Sequence, residues 1–246
     1  EQQVKLTPEN LRSVLLQENA DEVLQDHVQE QLKHDDLHRA VLQGSADAVQ
    51  QLLSKRASLE QRDEAGFTPL GRAAQAGNCA TAEVLIRAGA SVDWKPGPDS
   101  AASLEDDMEA SPIFNAKDGE MVRLLAAARA DLCTRTDHSG MYPMHCCAAD
   151  GRADALVALL DLGCTCNCLD REGVMPLGYA IEPYDVRAGG GPEERRLECA
   201  LTLVKRADAD LLSLSVGDVL KCDDYAQEEP RWLAVLENVK RVWLAD

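Results

Sequence analysis

Cysteine and histidine are the residues of this chain whose chemistry could build a site. Three of its nine cysteines alternate with other residues, at Cys164, Cys166 and Cys168. Thiolates bind zinc, but structural zinc sites use cysteines paired two residues apart or added histidines, and this run has neither. We therefore predict no metal site. Redox chemistry is the other use of such thiols, and it requires exposure and a lowered pKa.

The five histidines belong to no catalytic motif. The sequence has no HExxH zinc-protease helix, no GxSxG nucleophile turn and no glycine-rich phosphate loop that ends in Lys and Ser or Thr. The glycine run at 189–191 lacks the lysine that a phosphate loop needs. We therefore predict that the chain is not an enzyme, with no catalytic residues and no cofactor.

A repeated pattern supplies the elements that would position these residues. In its most regular copy, Thr68 and Pro69 open a short helix, since the missing N–H of proline costs nothing in a first turn. Small alanines follow and Gly77 ends the helix. A second apolar helix ends at Gly89, because glycine suits the left-handed conformation that closes helices.

Helix pairs of this kind recur with a period of 33 residues. Thr68 follows Asp35 by 33 residues, and Met175 follows Tyr142 by 33. Ser111 opens one more copy, which makes five. Residues 35–212 resemble the ankyrin-repeat family, whose unit has about 33 residues. The resemblance implies an all-α ankyrin-repeat solenoid of about five helix–turn–helix repeats, with capping helices at both ends.

The repeats divide the chain into three parts. We expect N-terminal capping helices in residues 1–34, repeats in 35–212 and a C-terminal helical cap in 213–246. Insertions near 95–110 and 183–192 interrupt the period. The third copy spans 18 residues from Ser111 to Arg129, against 21 from Thr68 to Gly89. Its first helix should therefore be shorter by nearly one turn.

The resemblance also implies that a protein partner binds the concave face, which loop tips and first helices form. Family members use a histidine, here His38 and His145, to tie neighbouring repeats together. The positions of this sequence that match the concave face are Glu64, Phe67, Gln75, His138, Met141, Asp150, Arg171, Glu172 and Val174.

Apolar residues at this face leave two alternatives open. Phe67, Met141 and Val174 each precede the start of a first helix. Facing water along one edge, they would form a contact surface; stacked on one another, they would seal the tips.

The tryptophans leave a similar choice. Trp94 at the first insertion is either an anchor for a partner or a local lid. Trp232 and Trp243 in the C-terminal part either cap the solenoid or bind a partner.

The net charge of −18 and the pI of about 4.6 limit the class of partner. Nucleic-acid binding requires clustered Lys and Arg, so it is disfavoured, and so is binding to an anionic membrane surface. No apolar run reaches the roughly 20 residues that span a bilayer, which argues against direct membrane insertion. The acidity favours a basic protein partner, or it serves solubility alone.

Three functions remain for such a chain. The first is a non-catalytic protein–protein interaction scaffold. The second is a peripheral structural subunit of a large multiprotein complex, in an organelle or elsewhere, because the chain starts without Met and its repeats are irregular. The third is a redox or metal-responsive protein built on the cysteine run. So many thiols fit a reducing intracellular compartment, either the cytoplasm or an organellar stroma or matrix.

Overall fold

The computed structural model describes residues 36–93, 111–136, 139–181 and 193–206, together with Val235 and Glu237. The expected N-terminal cap, both insertions and nearly all of the expected C-terminal cap lie outside the described residues, so the three-part division stays a prediction. Val235 is fully buried in the common core, which supports a C-terminal cap.

Ten α-helices, and no strands, form in the described residues between 36 and 206. They are α1 (36–42), α2 (Ala46–Ser54), α3 (Pro69–Ala76), α4 (Cys79–Arg87), α5 (Pro112–Asn115), α6 (Gly119–Ala127), α7 (Pro143–Asp150), α8 (Ala153–Asp161), α9 (Pro176–Ile181) and α10 (Glu193–Arg206). Consecutive helices pair as five helix–turn–helix repeats, which confirms the predicted all-α solenoid.

Local sequence signals set the ends of the regular helices. The Thr68 side chain accepts a hydrogen bond from the Gly71 amide at 3.1 Å, and Pro69 occupies the first turn of α3. Gly77 adopts the left-handed conformation with φ +76° and ends that helix, as predicted. Helices α5, α7 and α9 also begin at a proline.

Two layers of helices enclose the core. The first helices α3, α5, α7 and α9 pack in series as an inner layer, and the second helices α2, α4, α6, α8 and α10 form an outer layer. Fully buried alanines such as Ala73, Ala82 and Ala155 let the layers approach closely, and leucines such as Leu85 and Leu156 fill the space between repeats. Because each repeat buries its apolar side against its neighbours, the core is continuous along the stack.

The third repeat is shortened, as its spacing predicts. Helix α5 has four residues, whereas α3 has eight. The guanidinium of Arg152, which precedes α8 in the next repeat, donates hydrogen bonds to the carbonyls of Ala116 at 2.6 Å and Phe114 at 2.8 Å. Arg152 thus satisfies carbonyls that the missing turn leaves without partners inside the helix.

The same kind of contact joins other repeats. Asn78, before α4, donates from its side-chain amide to the Val41 carbonyl at the end of α1, at 2.7 Å. The backbone amide of Lys117 donates to the Ala74 carbonyl at the end of α3, at 3.1 Å. Consecutive repeats are therefore joined by hydrogen bonds to helix ends as well as by apolar packing.

The cysteines lie mostly inside the stack. Cys146 and Cys147 are buried on α7, where they act as small core residues. Cys166 is also buried, whereas Cys164 and Cys168 are half-buried. Across the described ranges, no three His, Cys, Asp or Glu side chains converge as a metal site requires.

None of the helices in the described part of the chain has both the length and the apolar character needed to cross a bilayer.

Candidate binding surface

The loop before each inner helix forms a tip, and the second tip (residues 63–67) is closed by one carboxylate. Oδ1 of Asp63 accepts hydrogen bonds from the amides of Ala65 and Phe67, both at 3.0 Å. The Asp63 amide donates to the Phe67 carbonyl at 3.0 Å, and Gly66 takes the left-handed conformation with φ +87°. Glu64 and Ala65 therefore stand exposed on a backbone that hydrogen bonds hold.

Arg72 on α3 joins this tip to the inner helix. Its Nε donates to Oδ2 of Asp63, and its guanidinium lies over the ring of Phe67, 4.2 Å from the ring centroid. Its Nη1 also donates to the side chain of Gln75 at 2.7 Å. The Arg72 side chain is 19% exposed, so this ion pair is partly shielded from solvent.

The fifth tip (residues 170–174) has the same construction with a different partner. Oδ1 of Asp170 accepts from the amides of Glu172 at 2.9 Å and Val174 at 2.8 Å. Oδ2 accepts from the Tyr179 hydroxyl at 2.7 Å. Burial, together with the Asp170 carboxylate, raises the pKa of Tyr179, so the phenol stays a hydrogen-bond donor.

The fourth tip (Thr136 and residues 139–141) uses a hydroxyl instead of a carboxylate. Oγ1 of Thr136 accepts from the Met141 amide at 2.9 Å, and the Thr136 amide donates to the Met141 carbonyl at 2.9 Å. The Arg171 amide donates to the Ser139 carbonyl at 3.0 Å. The fourth and fifth tips are therefore bonded to each other.

Two histidines tie inner helices to the tip of the next repeat, as predicted. The Nε2 of His38 lies 3.1 Å from the Phe67 carbonyl, and the Nε2 of His145 lies 3.1 Å from the Val174 carbonyl. Nδ1 of His145 accepts from the Tyr142 amide at 3.0 Å, so its proton is on Nε2, which donates. Burial lowers the pKa of His145 and keeps the ring neutral.

Four of the predicted binding residues are exposed on this framework: Glu64, Gln75, Arg171 and Glu172. Two more, Asp150 and Val174, are half-buried. The Asp150 carboxylate pairs with Arg152 at 3.1 Å and so helps to hold the shortened repeat. Trp94, His138, Trp232 and Trp243 lie outside the described residues.

Phe67 and Met141 do not face water, so at these two positions the structure favours the second alternative, in which the side chains seal the tips. They are 3% and 2% exposed. Phe67 is covered by the guanidinium of Arg72, and Met141 packs into the common core. Both side chains therefore close their tips from inside, and polar side chains are left to meet a partner.

Arg72 is the residue of this surface that sequence reasoning missed. It follows Asp63 by nine residues, and Tyr179 follows Asp170 by the same interval. In the second and the fifth repeat, a donor on the inner helix meets the second oxygen of the tip carboxylate. This repeated spacing of nine was a usable signal for the contact.

Most of the excess of Asp and Glu over Lys and Arg lies outside the described helix pairs. The described residues contain 16 Lys and Arg against 19 Asp and Glu, a net charge of −3, whereas the whole chain has −18. The remaining excess of acid lies in the rest of the sequence. The tips carry both signs: Glu64 lies on the second tip, and Arg171 and Glu172 lie on the fifth.

Comparison with known proteins agrees with this architecture. Residues 9–95 match the family described as ankyrin repeats (3 copies). Over 131 residues the chain is 29% identical to neurogenic locus notch homolog protein 2 of Homo sapiens, and the same holds for the protein of that name in Mus musculus. Each match covers 47% of this chain and 5% of the relative, so the chain spans only a small part of those proteins. The match to ankyrin repeats covers residues 9–95, and the described helix pairs continue the same helix–turn–helix architecture to residue 206.

Proposed function

We propose that this chain is a non-catalytic scaffold that binds a protein partner through the tip surface, defined as Glu64, Gln75, Arg171 and Glu172. Ankyrin repeats are generally protein–protein interaction modules, and the family is typically non-enzymatic. The observation that carries the proposal is the rigid support of these exposed polar side chains. The second and fifth tips are closed by hydrogen bonds that the Asp63 and Asp170 carboxylates accept, and each of these two tips is tied to an inner helix.

Rigid display favours selectivity. Side chains on a fixed backbone lose little conformational freedom when a partner binds, so more of the interaction energy appears as affinity. Glu64 and Glu172 are negatively charged and Arg171 is positively charged. The proposed partner therefore has a complementary arrangement of both signs. A uniformly basic partner would suit this surface less well, because Arg171 would repel it.

The test compares two variants of the full chain in native extract by crosslinking mass spectrometry. The tip variant carries Glu64→Lys, Gln75→Ala, Arg171→Glu and Glu172→Lys. The outer variant makes the same types of change on the outer layer: Gln50→Ala, Arg123→Glu, Asp161→Lys and Glu198→Lys. All of these positions are exposed.

We expect the tip variant to lose at least about tenfold of the crosslinks that the wild type makes to its main partner, since several charge contacts are reversed together. The outer variant should retain them. Unfolding curves of both variants verify that each one folds. Equal crosslinking by the tip variant and the wild type would rule out this surface.

A peripheral subunit of a large assembly is the alternative use of the same fold. The irregular third repeat does not by itself require neighbouring subunits, because Arg152 supports it from within the chain. Elution of the chain alone from native extract, near its mass of 26.7 kDa, would argue against this alternative.

We also propose a reducing intracellular compartment for the chain. The eight cysteines in the described residues are thiols and are not joined in disulfides, which supports such a compartment.

A further inference from the structure

One buried imidazole joins the start of α7 to the fifth tip. The side chain of His145 is fully buried. Its Nδ1 accepts a hydrogen bond from the Tyr142 amide at 3.0 Å, and its Nε2 donates to the Val174 carbonyl at 3.1 Å. Both ring nitrogens are therefore engaged, and this pair of bonds requires a neutral ring with its proton on Nε2.

Aromatic rings and a carboxylate surround this imidazole. The Tyr142 ring stacks on it with the centroids 5.9 Å apart, and the Tyr179 ring meets it edge-on at 5.4 Å. The Tyr179 hydroxyl donates to Oδ2 of Asp170, whose Oδ1 accepts from the Val174 amide at 2.8 Å. The Val174 carbonyl accepts from the Asp170 amide at 3.1 Å as well as from the imidazole. The fifth tip is thus held within itself by Asp170, and His145 ties it to α7.

Each element that packs against α7 contributes its own titratable or charged groups. The loop of the fifth tip contributes Asp170 and Cys168, whose sulfur lies 3.9 Å from Nδ1 of the imidazole. Helix α9 contributes Tyr179. Arg152, before α8, donates to carbonyls of the third repeat, and Arg196 on α10 donates to carbonyls at the end of α9. Helix α5 consists of Pro, Ile, Phe and Asn and has no titratable side chain.

A second proton on the imidazole does not fit this arrangement. Burial lowers the pKa of His145, and the Val174 carbonyl and the Asp170 carboxylate oppose this effect only in part. A proton added at Nδ1 points at the Tyr142 amide, which is itself a donor, 3.0 Å away. Because two aromatic rings confine the imidazole, the charged ring has to leave its position, and the Val174 carbonyl then loses this donor.

We propose that His145 is a pH-sensitive latch of the fifth tip, so that its protonation releases the tip from α7 and its deprotonation restores the contact. The second tip keeps its own tie, because the Arg72 guanidinium that binds Asp63 stays charged at every pH concerned. Arg171 and Glu172 lie on the fifth tip. Weaker partner binding in acid is a consequence that rests on the proposed function, whereas the release of the tip does not.

The direction of the pH effect follows from the lowered pKa of His145. A released imidazole binds its proton at the ordinary histidine pKa of about 6.5, and the latched imidazole binds it only at lower pH. The stabilisation by His145 is therefore fully present above about pH 6.5 and is lost as the pH falls through the pKa of the latched state. In this range the equilibrium constant for latching falls by up to about tenfold per pH unit.

The test measures amide hydrogen exchange of the full chain between about pH 7 and about pH 5 by mass spectrometry. Exchange rates are converted to protection factors, which removes the intrinsic dependence of exchange on pH. We expect the protection of Glu172 and Val174 to fall by at least about tenfold over these two pH units. The protection of Ala65 and Phe67 in the second tip should change by less than about twofold, because their acceptor is held by Arg72.

Two variants assign the effect to one imidazole. His145→Gln keeps an amide donor near the Val174 carbonyl but does not titrate, so the protection of its fifth tip should be independent of pH in this range. The matched control is His38→Gln, which changes the histidine at the same position of the first repeat. It should leave the pH dependence of the fifth tip as in the wild type. Circular dichroism at pH 7 verifies that both variants fold.

Three results would overturn the proposal. The first is a fifth tip of the wild type whose protection does not change with pH. The second is an equal fall in His145→Gln, which would assign the effect to another group. The third is a parallel fall in the second tip, which would indicate general unfolding.

A measurement on the wild type alone covers the case in which His145→Gln does not fold. The imidazole of His145 is titrated by nuclear magnetic resonance, and its midpoint is compared with the pH at which the fifth tip loses half of its protection. Coinciding midpoints support the latch, and separate midpoints refute it.

Discussion

The second and third repeats show two ways of finishing an ankyrin-type helix pair. The second repeat completes itself: Thr68 caps α3, Gly77 ends it, and Gly89 follows α4 in the left-handed conformation. In the third repeat Ser111 makes no capping bond, and Arg129 occupies the left-handed position with φ +67°. The second repeat is stabilised by its own residues, and the third depends on its neighbour.

The neighbour's contribution is Arg152. Its side chain is 12% exposed, and it donates to two carbonyls of the third repeat while it pairs with Asp150. Buried carbonyls without partners cost about 1–3 kcal/mol each, so a single side chain can offset the loss of a helical turn. A repeat can therefore shorten if the next one supplies donors.

The largest expected effect is the loss of this support. Arg152→Ala should lower the free energy of unfolding by about 2–4 kcal/mol, because the carbonyls of Phe114 and Ala116 lose their donors and Asp150 loses its partner. The free energy of unfolding of Arg152→Lys should lie between those of the wild type and Arg152→Ala, since an ammonium does not reproduce the fork of the guanidinium. Urea unfolding measures both variants.

The control for this prediction is Arg87→Ala. Arg87 pairs with Glu83 on α4, but its side chain is 74% exposed. We expect a change below about 0.5 kcal/mol, as is usual for an exposed pair one helical turn apart. If Arg152→Ala is as mild as Arg87→Ala, the third repeat does not depend on its neighbour.

The next effect separates the two helix starts. Thr68→Ala should cost about 1–2 kcal/mol, because the Gly71 amide loses its cap. Ser111→Ala should be neutral or slightly stabilising, since the buried Ser111 hydroxyl has no hydrogen-bond partner to lose. Equal losses in thermal or urea unfolding would contradict the difference between the repeats.

The smallest effect concerns the helix ends. Arg129→Gly should stabilise the chain by about 0.5–1 kcal/mol, because glycine adopts the left-handed conformation without a side-chain clash. Gly89→Ala should destabilise it by about 1 kcal/mol, and since an added Cβ there meets nothing within 4 Å, the cost is that of the backbone alone. Changes of the same sign in urea unfolding would refute this interpretation.

Most of the fold and part of the surface followed from sequence patterns. The Thr-Pro starts, the glycine ends and the shortened α5 were predicted because each depends on residues at fixed spacings within the repeat. The histidine ties were predicted from the resemblance to ankyrin repeats. The burial of Phe67 and Met141 could not be predicted, because a tip residue can turn towards water or towards the core. In the structure, Arg72 covers the Phe67 ring and Met141 packs into the common core.

The sequence by itself determined the periodic helix pairs, since capping, proline placement and left-handed glycine act over a few neighbouring residues. Only the tertiary structure decided which partners meet across repeats. Arg152 reaches carbonyls 36 and 38 residues away, and the Asn78 side chain reaches a carbonyl 37 residues away. Such contacts depend on how one repeat stacks on the next, and the period of the sequence does not specify that geometry for an irregular repeat.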